Sequence, residues 1–152
     1  MNLHVRLATP ADLDRLALLF DAYRQFYTLP ADLALSRAYL GERMRKAESL
    51  LLVADAGDGL AGFIQMYPTF SSLAADRIYT LEDLFVDPAY RGHGVGRQLM
   101  TAAAAAGRER GAVQLVLSTA TDNATAQALY ESLGWQRDIQ FFYYALNLAP
   151  LG

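Results

Sequence analysis

The sequence predicts a mixed α/β domain built round a central sheet. Three observations carry that prediction. Apolar runs of strand length alternate with longer stretches in which apolar residues recur every three or four positions. Glycine- and proline-containing turns separate the two kinds of segment. The chain has 152 residues, 53% of them hydrophobic and 19% charged, with no repeat, linker or break in composition. That is enough for one core, so residues 1–152 are expected to form a single domain.

Residues 3–8 are the first expected strand. Thr9 and Pro10 then mark a helix start, because threonine caps well and proline suits the first helical position. Leu13, Leu16, Ala17, Phe20 and Tyr23 or Arg24 follow at helical spacing. This helix leaves through an aromatic stretch, Tyr23-Arg24-Gln25-Phe26-Tyr27, before Pro30 breaks it. A second helix is expected over residues 32–46. The apolar run 49–54 and residues 60–67 form a hairpin about Gly57-Asp58-Gly59. Residues 68–76 are expected to be a loop, and 77–86 a strand stopped by Asp87-Pro88. The glycine-rich stretch 91–96 opens a helix ending near Gly111. Residues 113–119 form a strand, and a short helix from Thr121 or Asp122 to Leu133 ends at Gly134, a plausible cap. Residues 135–138 and 140–148 are the closing strands. The order is βααβββαβαββ.

Composition excludes several kinds of chemistry. With no cysteine, disulfide scaffolds, thiolate-bound metals and a cysteine nucleophile are ruled out. The two histidines, His4 and His93, are far apart, so neither a metal centre nor a Ser-His-Asp triad is expected. A net charge of −3 and a single lysine, Lys46, leave no footprint for nucleic acid. The longest charge-free run, residues 59–75, is interrupted by Gln65, Pro68 and two serines, which predicts no membrane span. Residues 1–10 lack the apolar core of a secretory signal, and a soluble, cytoplasmic protein is expected.

The stretch Arg91-Gly92-His93-Gly94-Val95-Gly96 lies between a strand and a helix. Glycines there allow positive φ and close approach of a ligand. The amides of the helix start form an anion cradle, with Arg91 and Arg97 beside it. It lacks the Gly-Lys-Ser/Thr of a mononucleotide loop, and its spacing is not that of a dinucleotide fingerprint. Taken alone, it is either a phosphate cradle or a turn without a ligand.

Three linked motifs resemble the GNAT family of N-acetyltransferases. The loop from Arg91 to Gly96 fits that family's Arg/Gln-x-x-Gly-x-Gly/Ala pattern. The preceding strand, Leu81-Glu82-Asp83-Leu84-Phe85-Val86, is typical of it. The run Asn123-Ala124-Thr125-Ala126-Gln127-Ala128-Leu129-Tyr130, with Gly134-Trp135 behind it, resembles the family's Asn-x-x-Ala-x-x-Leu-Tyr helix. The resemblance implies a GNAT fold: a mixed, mostly antiparallel sheet of six to seven strands, splayed in the middle and flanked by about four helices. It implies acetyl-CoA as co-substrate and no metal. Backbone groups of Leu84, Phe85 and Val86 would pair with the pantetheine arm, and an N–H on the Val86 segment would polarise the thioester carbonyl. The amides of Gly92, His93, Gly94, Val95, Gly96 and Arg97 would hold the pyrophosphate. Asn123 would hydrogen-bond the cofactor, and the small Ala126 would leave room beside it.

Acetyl transfer to an amine needs a base, a stabilised oxyanion and an acid for the leaving thiolate. Tyr130 is the candidate acid, sharing a helical stripe with Asn123, Ala126 and Gln127. Without the family resemblance, a core aromatic on a short amphipathic helix is the better reading of Tyr130. Glu82 and Asp83 are adjacent in a strand, so they should point to opposite faces among apolar neighbours, where burial raises a carboxyl pKa. Glu82 matches the base of polyamine-type members; Asp83 is the other candidate. His93 is expected to be solvent-exposed and outside the chemistry. The resemblance puts the acceptor among the first helices, the loop after Tyr67 and residues 141–144. Tyr27, Phe70, Glu82 and Asp83 are the expected acceptor contacts. The aromatics there form either a cation–π wall or core and dimer packing.

These segments resemble the Hpa-type branch, with yeast histone and D-amino-acid acetyltransferases, and more distantly diamine acetyltransferases. A small primary amine, polyamine or amino acid is the expected acceptor, and a homodimer the expected assembly. Acetylation of a protein lysine or N-terminus, or an acetyl-CoA sensor without turnover, are the alternatives.

Overall fold

The computed structural model describes residues 2–150. The chain divides into two compact units, Met1–Ser118 and Thr119–Gly152.

The first unit contains β1 (His4–Leu7), α1 (Leu13–Phe26), α2 (Leu33–Arg45), β2 (Leu50–Asp55), β3 (Leu60–Ser71), β4 (Asp76–Val86), α3 (Val95–Glu109) and β5 (Gln114–Val116). Short 3-10 turns precede α1 at Pro10–Asp12 and follow β4 at Pro88–Tyr90. The strands form one sheet in the order β1-β2-β3-β4-β5. The first four are antiparallel to their neighbours, and β5 joins β4 in parallel.

Residues 50–54 of β2 and the first half of β3 are buried. A strand covered on both faces has no polar side to show, which is why residues 50–54 are apolar without alternation. On one face Leu51, Val53, Phe63 and Phe85 pack against Leu16 and Phe20 of α1 and Leu40 of α2. On the other lies α3, where Val95, Leu99, Met100 and Ala103 recur at helical spacing and are buried. Asp21 fixes α1 to the start of α2. Its buried carboxylate accepts from Gln25 Nε2 (3.1 Å), the Asp32 amide (3.0 Å) and Ser36 Oγ (2.8 Å).

Three expectations need correction. The loop foreseen at residues 68–76 shrinks to 72–75, because β3 continues to Ser71. Pairs Thr69↔Ile78 and Phe70↔Arg77 extend the ladder, with the Arg77 guanidinium 5.3 Å from the Phe70 ring centroid. The strand foreseen at 113–119 covers only Gln114–Val116. The closing strands foreseen at 135–138 and 140–148 are not formed: no helix or strand follows α4 (Ala124–Ser132) among the described residues. The sheet therefore has five strands, where six to seven were expected. A strand exists only through its ladder, and aromatic propensity in Phe141-Phe142-Tyr143-Tyr144 does not supply one.

In the second unit, Asn123 caps α4 by accepting from the Ala126 amide at 3.2 Å. Gly134, at φ +91°, ends it. The Gly134 amide donates to Glu131 O (3.1 Å) and the Trp135 amide to Tyr130 O (3.0 Å), the paired bonds of a Schellman cap.

Candidate active site

β4 carries backbone chemistry at its C-terminal end. The Asp87 amide donates to Ala61 O at 2.9 Å, in register with Phe63↔Phe85. Antiparallel neighbours alternate, so Phe85 turns its N–H to β3, whereas Leu84 and Val86 turn theirs to the opposite edge. β5 covers that edge only from Ile78 to Thr80. From Leu81 onward β4 has no strand partner on that edge among the described residues, which leaves the edge at Leu84 and Val86 unpaired within the sheet. Arg91 crosses the strand end, with Nε donating to Val86 O at 3.1 Å and the guanidinium 5.5 Å from the Phe85 ring centroid.

The glycine loop follows directly. Asp87 caps the 3-10 turn by accepting from the Ala89 amide at 2.9 Å. Gly92 and Gly94 have φ +80° and +76°, and a Cβ added at either would meet nothing within 4 Å. The chain thus takes a left-handed shape that glycine permits, and the space over it is open. Gly94 is the N-cap of α3 and, as glycine, offers no side chain to its first amides. Those N–H groups, with the positive end of a 15-residue helix behind them, suit an anion. Val95 is buried and anchors the turn. Gly96 and the exposed Arg97 complete the first turn of α3. His93 is exposed; its Nδ1 lies 3.2 Å from Tyr90 O and 3.0 Å from Arg91 O, and as N–H it donates to these carbonyls.

Four residues earlier on the same strand the ladder slips. Gln65 pairs with Asp83 and Met66 with Leu81, so Glu82 is an extra residue without a cross-strand partner. A bulge of this kind re-aims side chains. Strict alternation would send Glu82 and Asp83 to opposite faces, as the sequence led us to expect. Instead both line one cavity of about 320 Å³, with Phe20, Arg24, Leu35, Tyr39 and Tyr67. α1, α2, β3 and β4 each supply part of its wall.

The two carboxylates differ in their surroundings. Asp83 is 7% exposed, whereas Glu82 is exposed to solvent. Gln65 Nε2 donates to Asp83 Oδ2 at 2.8 Å, and Ser49 Oγ donates to Gln65 Oε1 at 2.9 Å. Burial pushes the Asp83 carboxyl up, while hydrogen bonds from Gln65 and Tyr23 oppose the rise. Burial and the neighbouring Asp83 carboxylate hold the Tyr23 phenol well above its ordinary value. Burial and a hydrogen bond with Tyr39 do the same to Tyr67. The cavity therefore has an acidic wall with one buried and one water-accessible carboxyl, and aromatic walls opposite. That arrangement can hold an ammonium group and take its proton.

Two residues expected at the acceptor do not line the cavity. The Tyr27 ring packs edge-on against Tyr23 and Phe26, and Phe70 lies under Arg77 at the far end of β3. Phe20, Arg24, Leu35 and Tyr39 were missed. A helical signal existed for two of them: Phe20 and Arg24 are four apart on α1 and share a face. In the second unit, α4 carries Asn123, Ala126 and Tyr130. Gln127 Nε2 donates to Ala120 O and Thr121 O, both at 3.1 Å, and the Tyr130 and Trp135 rings lie 6.1 Å apart. Among the described residues no group of three or more His, Asp or Glu side chains could hold a metal ion, and no helix is long and apolar enough to cross a membrane.

Residues 16–135 match the acetyltransferase (GNAT) family. The chain is 40% identical over 146 residues to the uncharacterized N-acetyltransferase YhfO of Bacillus subtilis, covering 96% of this chain and 98% of that one. It is 28% identical over 150 residues to the aminoglycoside N(6')-acetyltransferase type 1 of Stenotrophomonas maltophilia, covering 96% and 94%. A crystal structure of a probable acetyltransferase superposes with a TM-score of 0.90 at 39% identity, covering 97% of this chain and 99% of that one. Of several other curated relatives the chain spans about half the length. With a family match over most of its length and a relative of nearly its own size at 40% identity, the chain belongs to the acetyltransferase (GNAT) family and is an acetyl-CoA-dependent N-acetyltransferase.

Proposed function

We propose that residues 1–152 act as one domain that moves the acetyl group of acetyl-CoA directly to a primary amine of a small molecule: a small amine, polyamine or amino acid. One observation carries this reading. A single strand, β4, bears the carboxylate pair at its bulge and the open amides of Leu84 and Val86 just beyond, and it leads into the glycine loop. Acceptor wall and co-substrate wall thus lie on consecutive residues. A cavity of about 320 Å³ with an acidic wall suits a small amine rather than a protein segment, which would need an open groove.

Acetyl-CoA supplies an activated acyl thioester. The loop fits its pyrophosphate, with open space over Gly92 and Gly94 and uncapped amides at the start of α3. The amides from Gly92 to Arg97 hold that group, and Arg91 and Arg97 add charge beside it. The open edge of Leu84 and Val86 pairs with the pantetheine arm as an added strand would. The Val86 amide stabilises the oxyanion. Glu82, accessible to water, takes the proton of the incoming ammonium. The amine nitrogen then bonds to the carbonyl carbon, the C–S bond breaks as the tetrahedral oxyanion collapses, and Tyr130 gives a proton to the leaving sulfur and regains one as the nitrogen sheds its second proton. Asn123 and Ala126 serve the co-substrate from α4. The family resemblance supports these last roles and a homodimer.

The test is release of CoA thiol with acetyl-CoA across polyamines, D- and L-amino acids, aminoglycosides and lysine peptides. The chain has no cysteine, so a thiol reagent meets no protein background. We expect release with one class of small amine. Tyr130→Phe and Glu82→Gln should each slow it by roughly 10²–10⁴-fold, the usual contribution of a positioned acid or base. Turnover untouched by both changes would remove these assignments. Release with lysine peptides alone would move the acceptor to protein.

A further inference from the structure

The cavity holds a cation that acetyl transfer itself does not use. Arg24 lines it together with Glu82 and Asp83. Its position is fixed by α1, whose last turn closes on the Arg24 carbonyl with bonds from Tyr27 and Leu29, both at 3.1 Å. Among the described residues its guanidinium has no ion pair and no hydrogen-bond partner. The neighbouring Arg43 is different. It pairs with Glu42 (2.9 Å) and Glu48 (3.1 Å) and lies over the Tyr39 ring at 4.6 Å. Arg43 is committed to the fold; Arg24 is half-buried and uncommitted.

We infer that the acceptor is zwitterionic: a small molecule whose primary amine faces Glu82 and Asp83 and whose carboxylate is bound by Arg24. The inference rests on the acetyl-transfer reading and narrows it. A guanidinium is weakly hydrated and presents a planar fork that matches a carboxylate. Placed among Phe20, Leu35 and Tyr39, it gains most from an anion that fills that fork. A polyamine meets attraction at the acidic wall and repulsion at Arg24. A phosphate monoester carries about −1.5 to −2 and would be repelled by Glu82 and Asp83. One amine and one carboxylate match the charges of both walls.

Matched pairs provide the test: leucine against isoamylamine, phenylalanine against phenethylamine, and lysine against 1,5-diaminopentane. Both enantiomers of each amino acid are used. We expect kcat/KM to favour the carboxylate-bearing member by about tenfold or more, the worth of one charge-assisted hydrogen-bonded contact. Arg24→Gln should bring the ratio within about threefold of unity, chiefly by raising KM for the amino acid. Arg24→Lys should keep part of the preference, and it carries the test if the glutamine variant unfolds. Equal rates for both members, or a preference for the decarboxylated amines, would overturn the inference and leave acetyl transfer standing. Transfer to no amine in any pair, with release to another amine of the wider panel, would overturn the inference alone; release with no amine of that panel would overturn the small-amine reading as well.

Discussion

The two walls of the proposed site differ in what they offer a ligand. On the proposed reading, the glycine loop and the open edge of β4 work through backbone amides, and their side chains mainly keep the backbone in place. The cavity, on the same reading, works through side chains, from Phe20 and Arg24 on α1 to Glu82 and Asp83 on β4 that line it. A backbone site requires missing side chains at fixed places. A side-chain site requires particular groups brought together from distant parts of the chain. The difference decides how each should respond to substitution.

Among substitutions that test this contrast, the largest effect on stability should come from Gly62→Ala. The new Cβ would stand 2.7 Å from Phe85 O, with Val86 Cα and Leu99 Cδ1 at 3.3 Å. β4 would have to move where its open amides begin. Overpacking of this kind costs about 2–3 kcal/mol, a fall of roughly 5–10 °C in melting midpoint for a chain of this length. A midpoint within about 2 °C of wild type would show that β4 shifts easily and that its edge is not rigidly aimed.

Gly94→Val comes next. Valine at φ +76° is strained by about 1–3 kcal/mol, and the strain falls on the cap of α3. We expect KM for acetyl-CoA to rise by roughly tenfold to a hundredfold, with a much smaller change in the acceptor's KM. A rise confined to the acceptor would break the division between the two walls.

The same division explains what could be read from the sequence. The loop from Arg91 to Gly96 was legible because positive φ at Gly92 and Gly94 excludes most other residues, and exclusion leaves a local mark. The elements through β4 were legible from period and punctuation. The cavity was not, because Arg24, Leu35, Tyr39 and Tyr67 meet only after α1 and α2 dock on the sheet. The bulge at Glu82 was hidden as well. It is a property of the β3–β4 register, not of either strand alone. Alternation therefore placed Glu82 and Asp83 on opposite faces, and only the slipped pairing brings both to one cavity. The two closing strands failed for a related reason: aromatic propensity describes half-buried surface, and pairing has to come from a neighbour.

Asp83→Asn tests the cavity side with a smaller effect of the opposite sign. Burial raises this carboxyl. A raised carboxyl holds its proton more tightly folded than unfolded. The folded state therefore gains from it below the unfolded range, near pH 4, and loses that gain as pH rises through the folded value. At pH 7 to 8 the buried charge is a cost that asparagine removes, and its amide oxygen can still accept from Gln65. Thermal melts should show the variant about 2–4 °C above wild type at pH 7 to 8, with the gain gone below about pH 4. Its acceptor KM should rise, because half the acidic wall is lost. A variant less stable than wild type at every pH would show that the carboxylate is satisfied and that its role is structural.

His93→Ala has the smallest expected effect and tests the comparison most directly. His93 sits in the middle of the loop and its ring spans two carbonyls, so on geometry it looks important. Those bonds are exposed, however, and water can replace them at little cost. The loop's path is set independently by Gly92 and Gly94, by the Asp87 cap and by the buried Val95. If recognition here belongs to the backbone, removing the ring should change KM for acetyl-CoA by less than about threefold and leave the pH profile of kcat where it was. A loss beyond tenfold would place a side chain in the binding or chemistry of this wall. The loop would then be recognising by the same means as the cavity, and the distinction between the two walls would fail.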